Sequence, residues 1–276
     1  MRMPAFTIKS YMIVFLAVLG LAYVFTSQRF DFLFQMIFAT AATVAIDVAI
    51  NLVKIKKLAL SSSAVISGLF IGTILPLSPF YIIVAAALVS MLSKHVIKFS
   101  KRHIFNPAAF GIVVSGIIFS FVPIWWSSAT LLSIPLGLFI VYKMRKWLLV
   151  LSFIITYYAL LMLQNLSDTS VISFINPTLF FFMLFMLTEP LTSAYARPAM
   201  VAQGIMVGIL VILVSTYVSG AEIFLLPLLI SNIFVGALNK NLKPFNFPRT
   251  QTSKNKKGSS GLQLNHAHLT SVLHRT

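Results

Sequence analysis

The chain has 276 residues, of which 59% are hydrophobic and 9% charged, with a mean hydropathy of +0.96. A soluble domain cannot hide that much apolar surface, so the chain reads as an integral, multi-pass membrane protein. The net charge of +16 is no nucleic-acid signal, because the basic residues lie between apolar runs and in the tail. The absence of cysteine excludes disulfides, thiol chemistry and iron–sulfur clusters held by this chain.

Ten apolar segments are predicted as spans, at 11–27, 32–53, 59–76, 79–97, 106–124, 128–143, 146–164, 171–188, 198–219 and 222–239. Their length favours helices over the short alternating strands of a barrel. The fold class is therefore all-α, with about ten transmembrane helices. The first run, Tyr11 to Thr26, has no small-residue cleavage site and reads as a retained span. With the N-terminus inside, every one of the 21 basic residues except Arg29 falls on the inner side. Asp31, Asp168 and Glu222 fall outside. A wrong helix count would scramble that alternation. Trp125 and Trp126 are expected at an outer interface and Trp147 at an inner one.

Within the second segment, Asp47 is an acid at membrane depth, the type of residue that marks a cation path, a proton relay or an ion pair. Lys54, about two helical turns on, is close enough to reach partway towards it. The third segment ends Leu75-Pro76-Leu77-Ser78. The fifth opens Phe105-Asn106-Pro107-Ala108-Ala109-Phe110-Gly111, with Asn106 placed as an N-cap and Pro107 at the first helical position. A helix N-terminus facing the bundle would also offer N–H groups to a ligand. Ser127-Ser128-Ala129-Thr130 follows, readable as a hydroxyl cap on the sixth helix. The eighth segment ends Thr188-Glu189-Pro190-Leu191-Thr192-Ser193, where Pro190 stops the helix. Glu189 is the one acid assigned to the inner loops. It pairs with Arg197 at the interface or serves a site.

Residues 1–239 form the transmembrane domain and 240–276 a basic cytoplasmic tail. That tail is predicted to be flexible, and to be solvated or to contact anionic lipid. The tail histidines His266, His268 and His274 lack zinc spacing. The third and eighth segments, and the fifth with Asn106 and the tenth with Asn232, cross in opposite directions. This suggests a five-plus-five inverted repeat. No glycine-rich phosphate loop or dinucleotide fingerprint is present, so a nucleotide-borne donor would be received by another subunit.

Four motifs in order carry a family resemblance. Ser67-Gly68-Leu69-Phe70-Ile71-Gly72 with Leu75-Pro76, then Phe105-Asn106-Pro107-Ala108, then Phe185-Met186-Leu187-Thr188-Glu189-Pro190-Leu191-Thr192-Ser193, then Leu228-Leu229-Ile230-Ser231-Asn232 resemble the flavin-carrying membrane subunits of two related complexes. These are the D subunit of Rnf and the B subunit of the sodium-pumping NADH:quinone oxidoreductase, Nqr. The chain reads as a short member. Leu187 and Glu189 stand where the family has alanine and aspartate. The resemblance implies a subunit of an ion-translocating oxidoreductase, inactive alone, in the cytoplasmic membrane of a prokaryote with both termini inside. Its partners would be other subunits of the redox complex and membrane lipid. It implies flavin, riboflavin or FMN, expected near Asn106, Pro107, Thr188, Glu189 and Thr192, while Asp47, by its depth, is the candidate for an ion path. Thr130 is the candidate for covalent FMN, although Ser128 replaces the family's glycine. The alternative reading is a small-solute channel or transporter built on an inverted repeat.

Overall fold

The computed structural model describes residues 7–56, 58–99, 102–164, 176–218 and 222–242. All described elements lie within residues 1–244, one compact unit. Lys57, Lys101, Asp168 and the tail beyond residue 242 lie outside the described residues.

Among the described residues there are ten helices, one for each predicted segment: α1 (Ile8–Ser27), α2 (Phe30–Ile55), α3 (Ser62–Ile74), α4 (Phe80–Val96), α5 (Pro107–Phe119), α6 (Ser133–Met144), α7 (Trp147–Gln164), α8 (Pro177–Phe181), α9 (Arg197–Tyr217) and α10 (Leu225–Asn241). A π-helical turn, Phe182–Met186, continues α8. The all-α, polytopic reading is borne out. One small element was not foreseen. Lys98–Phe99 (β1) pairs antiparallel with Arg102–His103 (β2), a ribbon between α4 and α5.

Helix starts follow capping chemistry. The Thr7 hydroxyl accepts from the Ser10 N–H at 3.2 Å, and the Asn176 side chain accepts from the Thr178 N–H at 2.9 Å. By length and composition, four of these helices can cross a membrane: Ile8–Ser27, Phe30–Lys54, Trp147–Gln164 and Arg197–Tyr217. By contrast α3 has 13 residues, so it rises only about 20 Å against a hydrocarbon core of ~30 Å.

Two of the short helices, α3 and α8 with its π-helical turn, are almost wholly buried. Every residue from Ile66 to Ile74 is buried, as are Phe181 to Met186. Close approach explains the glycines of α3. A Cβ at Gly68 would lie 2.5 Å from the Thr40 Cα of α2, and one at Gly72 would lie 2.7 Å from the Met36 Cα. Small residues four apart let two helix backbones touch, which is how helices pack where lipid removes the hydrophobic drive.

Trp125 and Trp126 are not interfacial anchors, contrary to expectation. They are 4% and 3% exposed. They fill the space beyond the end of α3, in and beside a 3-10 turn at Trp126–Ala129. Trp126 donates to the Gly72 carbonyl at 2.9 Å, and the Ile124 and Trp125 N–H groups donate to the Ile74 carbonyl at 3.0 and 3.2 Å. The short helix leaves carbonyls that water cannot reach, and the indole and backbone donors satisfy them. Trp147, at 38% exposure, does suit an interfacial belt.

Candidate functional site

The N-terminus of α5, the segment that follows α8 and the helix α10 meet at the end of the bundle that carries most of the lysines, here called the basic end. Asn106 caps α5, its side-chain oxygen accepting from the Ala109 N–H at 3.1 Å. Its own N–H donates to the side-chain oxygen of Asn232 on α10 at 3.1 Å. The Asn232 amide nitrogen donates in turn to the Thr192 and Leu228 carbonyls, both at 3.3 Å. This orientation of the Asn232 amide is the one that satisfies its neighbours. Glu189 is 7% exposed. Its carboxylate accepts from the Thr192 hydroxyl, and Ser193 donates its hydroxyl to the Glu189 carbonyl at 2.7 Å. The predicted residues Asn106, Pro107, Glu189 and Thr192 thus come together, all buried.

Sequence reasoning missed His103. It sits on β2, and its Nε2 lies 3.9 Å from Glu189 Oε1. Arg197, the partner expected from sequence, makes no ion pair with Glu189 among the described residues. A cleft of about 770 Å³ opens beside this cluster, lined by His103, Thr192, Ser193 and Asn232 together with apolar Phe99 and Ile104. Arg102 and Lys240 also line it. Glu189 is one hydrogen bond away, through Thr192. Two buried side-chain nitrogens here have no hydrogen-bond partner, His103 Nε2 in the cleft lining and Asn106 Nδ2 next to Asn232. Stranded buried donors cost about 1–3 kcal/mol each, so their presence beside a cleft points to a ligand.

Three side chains pin the segment that carries Thr192. Gln203 on α9 accepts from the Ala194 N–H at 2.7 Å, and Lys146 donates to the Ala194 carbonyl. Asn239 on α10 accepts from the Tyr195 and Ala196 N–H groups at 2.9 and 3.2 Å. Lys146 lies in the turn between α6 and α7 and is 5% exposed. Burial pushes its ammonium pKa down to about 8. At the opposite end of the bundle, Glu222 accepts from the N–H groups of Phe224 and Leu225 and from the Trp125 indole. Burial raises its pKa to about 7 against those hydrogen bonds.

Other predicted residues fall elsewhere. The Thr188 hydroxyl is turned back onto its own helix, donating to the Leu184 carbonyl at 2.7 Å. Thr130 lies beyond the far end of α5 from Asn106 and donates to the Ser127 carbonyl at 3.2 Å. The structure does not bring Thr130 to the Glu189 cleft. Asp47 forms its own cluster. It is 0% exposed and pairs with Lys94 at 2.9 Å and His95 at 2.6 Å, both from α4. Lys54 does not reach it, because its ammonium donates instead to the His95 carbonyl at 3.2 Å.

Residues 121–248 match the NQR2, RnfD, RnfE family. This bears out the resemblance read from the sequence and supports a membrane subunit of an Rnf/Nqr-type complex. No curated protein matches the chain.

Proposed function

With residues 121–248 carrying the sequence of the NQR2, RnfD, RnfE family, we propose that this chain is the flavin-binding membrane subunit of an Rnf/Nqr-like electron-transport complex, its electron transfer coupled to ion translocation. The observation that carries the reading is the cleft at the basic end, with the unpartnered His103 Nε2 in its lining and the unpartnered Asn106 Nδ2 in the adjoining Asn106–Asn232 pair. Its volume falls within the ~300–1,000 Å³ usual for small-molecule sites, and its walls combine apolar side chains with a few polar ones. That is the chemistry a flat, carbonyl-bearing isoalloxazine needs. Bound flavin, riboflavin or FMN, would supply the electron transfer.

The residues of the chain do the rest. His103 and Asn106 supply donors for ring carbonyls or nitrogens. Glu189, held by Thr192, places its carboxylate 3.9 Å from the His103 imidazole. The three-sided anchoring of Ala194–Ala196 keeps Thr192 in register with Asn232. Thr130 remains a separate candidate for covalent FMN at the opposite end. There the half-buried hydroxyl has only the Ser127 carbonyl to release.

The ion path would involve Asp47. The chain would sit in a prokaryotic cytoplasmic membrane with both termini inside, 1–239 spanning and 240–276 as a basic tail, alongside other subunits and lipid. It would not act alone. A five-plus-five inverted repeat is part of the proposal. Both α3 and α8 are short, buried and followed by proline. In each half, a polar side chain at or just before the start of the second helix reaches backbone at the end of the short third helix or beyond it. Gln35 of α2 donates to the Gly72 and Leu75 carbonyls at 3.2 and 3.1 Å, and Lys146 before α7 donates to the Ala194 carbonyl.

The test is to purify the chain with its partner subunits from flavin-replete cells, denature it in acid and read flavin fluorescence in the chain and in the supernatant. The proposal expects released flavin, reduced at least tenfold in His103→Ala. Colourless protein from such cells would sink it. Fluorescence that stays on the chain and vanishes in Thr130→Ala would assign covalent FMN to that residue. The transporter reading would gain from solute uptake by flavin-free proteoliposomes that Asp47→Asn abolishes.

A further inference from the structure

The cleft beside Glu189 is uneven in charge. Its buried polar lining, from Thr192, Ser193 and Asn232, is neutral. Its exposed edge carries two cations, Arg102 on β2 and Lys240 in the last turn of α10. The ribbon pairing sets Phe99 opposite Arg102, so an apolar wall and a guanidinium enter the cleft on one element. No aspartate or glutamate lines it.

Nor does an acid answer those cations from elsewhere. Among the described residues, Asp31 pairs with Arg29 at 2.7 Å, Asp47 pairs with Lys94 and His95, and Glu222 lies at the opposite end of the bundle. Glu189 faces His103 from outside the lining. Neither Arg102 nor Lys240 forms an ion pair among the described residues. Two like charges on one cleft repel each other, and an anion seated between them relieves both. A helix favours a cation in its last turn on its own account, which explains part of Lys240. Arg102 sits at no helix end and is the stricter probe.

A neutral ligand leaves both cations unanswered, and a carboxylate offers one charge for two. A phosphate monoester brings about −1.5 to −2 charges at neutral pH and three acceptor oxygens. The guanidinium fork suits two of those oxygens, and the ammonium serves as a point charge. We propose that Arg102 and Lys240 form a phosphate-monoester subsite at the mouth of the cleft. The ligand is thus amphipathic, with an apolar body against Phe99 and Ile104 and an anionic end at the rim. The inference rests on the flavin reading for the body alone: under that reading the cleft takes FMN and discriminates against riboflavin. The headgroup of phosphatidic acid presents the same phosphate, and the experiment separates the two sources.

The full chain, purified with its partner subunits in detergent, is equilibrated with equal concentrations of FMN and riboflavin. Gel filtration and acid extraction then give the ratio of the two held without a covalent bond. Wild type should retain FMN over riboflavin by about tenfold at low salt, the combined size of two partly exposed charge pairs. That preference should fall to roughly twofold at about 0.5 M salt. Arg102→Gln should lose most of it, Lys240→Gln is the second variant, and the salt series needs no variant at all. A parallel arm offers short-chain phosphatidic acid against phosphatidylcholine in mixed micelles. Retention of phosphatidic acid that Arg102→Gln abolishes would assign the phosphate to a lipid. If no flavin is then retained, the subsite stands and the flavin reading falls. If flavin is retained without preference for FMN, and lipid without preference for phosphatidic acid, the subsite is overturned while the flavin reading stands. A preference that survives high salt, or that both variants keep, also overturns the subsite. If no flavin is held and neither lipid is preferred, both fall.

Discussion

The two inner-half acids, Asp47 and Glu189, are both buried, yet their surroundings differ. Asp47 is met by an ammonium at 2.9 Å and an imidazole at 2.6 Å, and its charge is answered within the protein. Glu189 receives a hydroxyl, and its nearest ionisable neighbour, His103, stands off at 3.9 Å. A buried charge must be compensated. At Asp47 the compensation is internal. At Glu189 it is incomplete, and a cleft lies next to the shortfall. The comparison separates an acid that holds helices together from one left available to a ligand, a distinction that composition and topology alone do not make.

The sharpest way to break the comparison is to remove each negative charge. Asp47→Asn strands Lys94 and should destabilise the protein by about 3–5 kcal/mol in chemical unfolding. Glu189→Gln should cost about 1 kcal/mol or less, because no close cation loses a partner. Equal costs would erase the distinction. Next comes Asn232→Leu, which leaves the Asn106 N–H without its acceptor. It should cost about 2 kcal/mol and halve flavin retention or worse.

Lys146 gives a smaller, pH-dependent effect. Its folded pKa is about 8 and its unfolded value 10.5, so between these the unfolded chain holds more protons. Stability should therefore rise with pH across that window, by up to ~1.4 kcal/mol per pH unit from this group. Unfolding midpoints from pH 7 to 10 should show that rise in wild type and lose it in Lys146→Met. The smallest effect should be Thr130→Ala. It removes one half-buried hydroxyl bond and should shift stability by under about 1 kcal/mol, unless flavin is attached there.

Apolar run length and alternating charge were enough to place the ten helices of the described residues. The N-cap at Asn106 and the stop at Pro190 were also legible, because they are local rules written in neighbouring residues. What escaped depended on distant contacts. The charged partners of Asp47 sit nearly fifty positions along the chain. Lys54 looked suitable by helical spacing, but its ammonium found the His95 carbonyl. His103 lay in what read as a basic loop, and only the β1–β2 pairing turns it towards Glu189. The tryptophans misled for a related reason. Indoles at a helix end usually mark an interface, whereas here the shortness of α3 created an interior space that needed them. The turn of Thr188 back onto Leu184 is a rotamer choice that no spacing rule specifies.

The shortness of α3 also has a mechanical consequence. Its last turn ends in protein and not at a lipid headgroup, because Trp126 and the Ile124 and Trp125 N–H groups close on its carbonyls. A change in bilayer thickness therefore has no direct hold on α3, and the mismatch falls first on the helices of full length, α1, α2, α7 and α9.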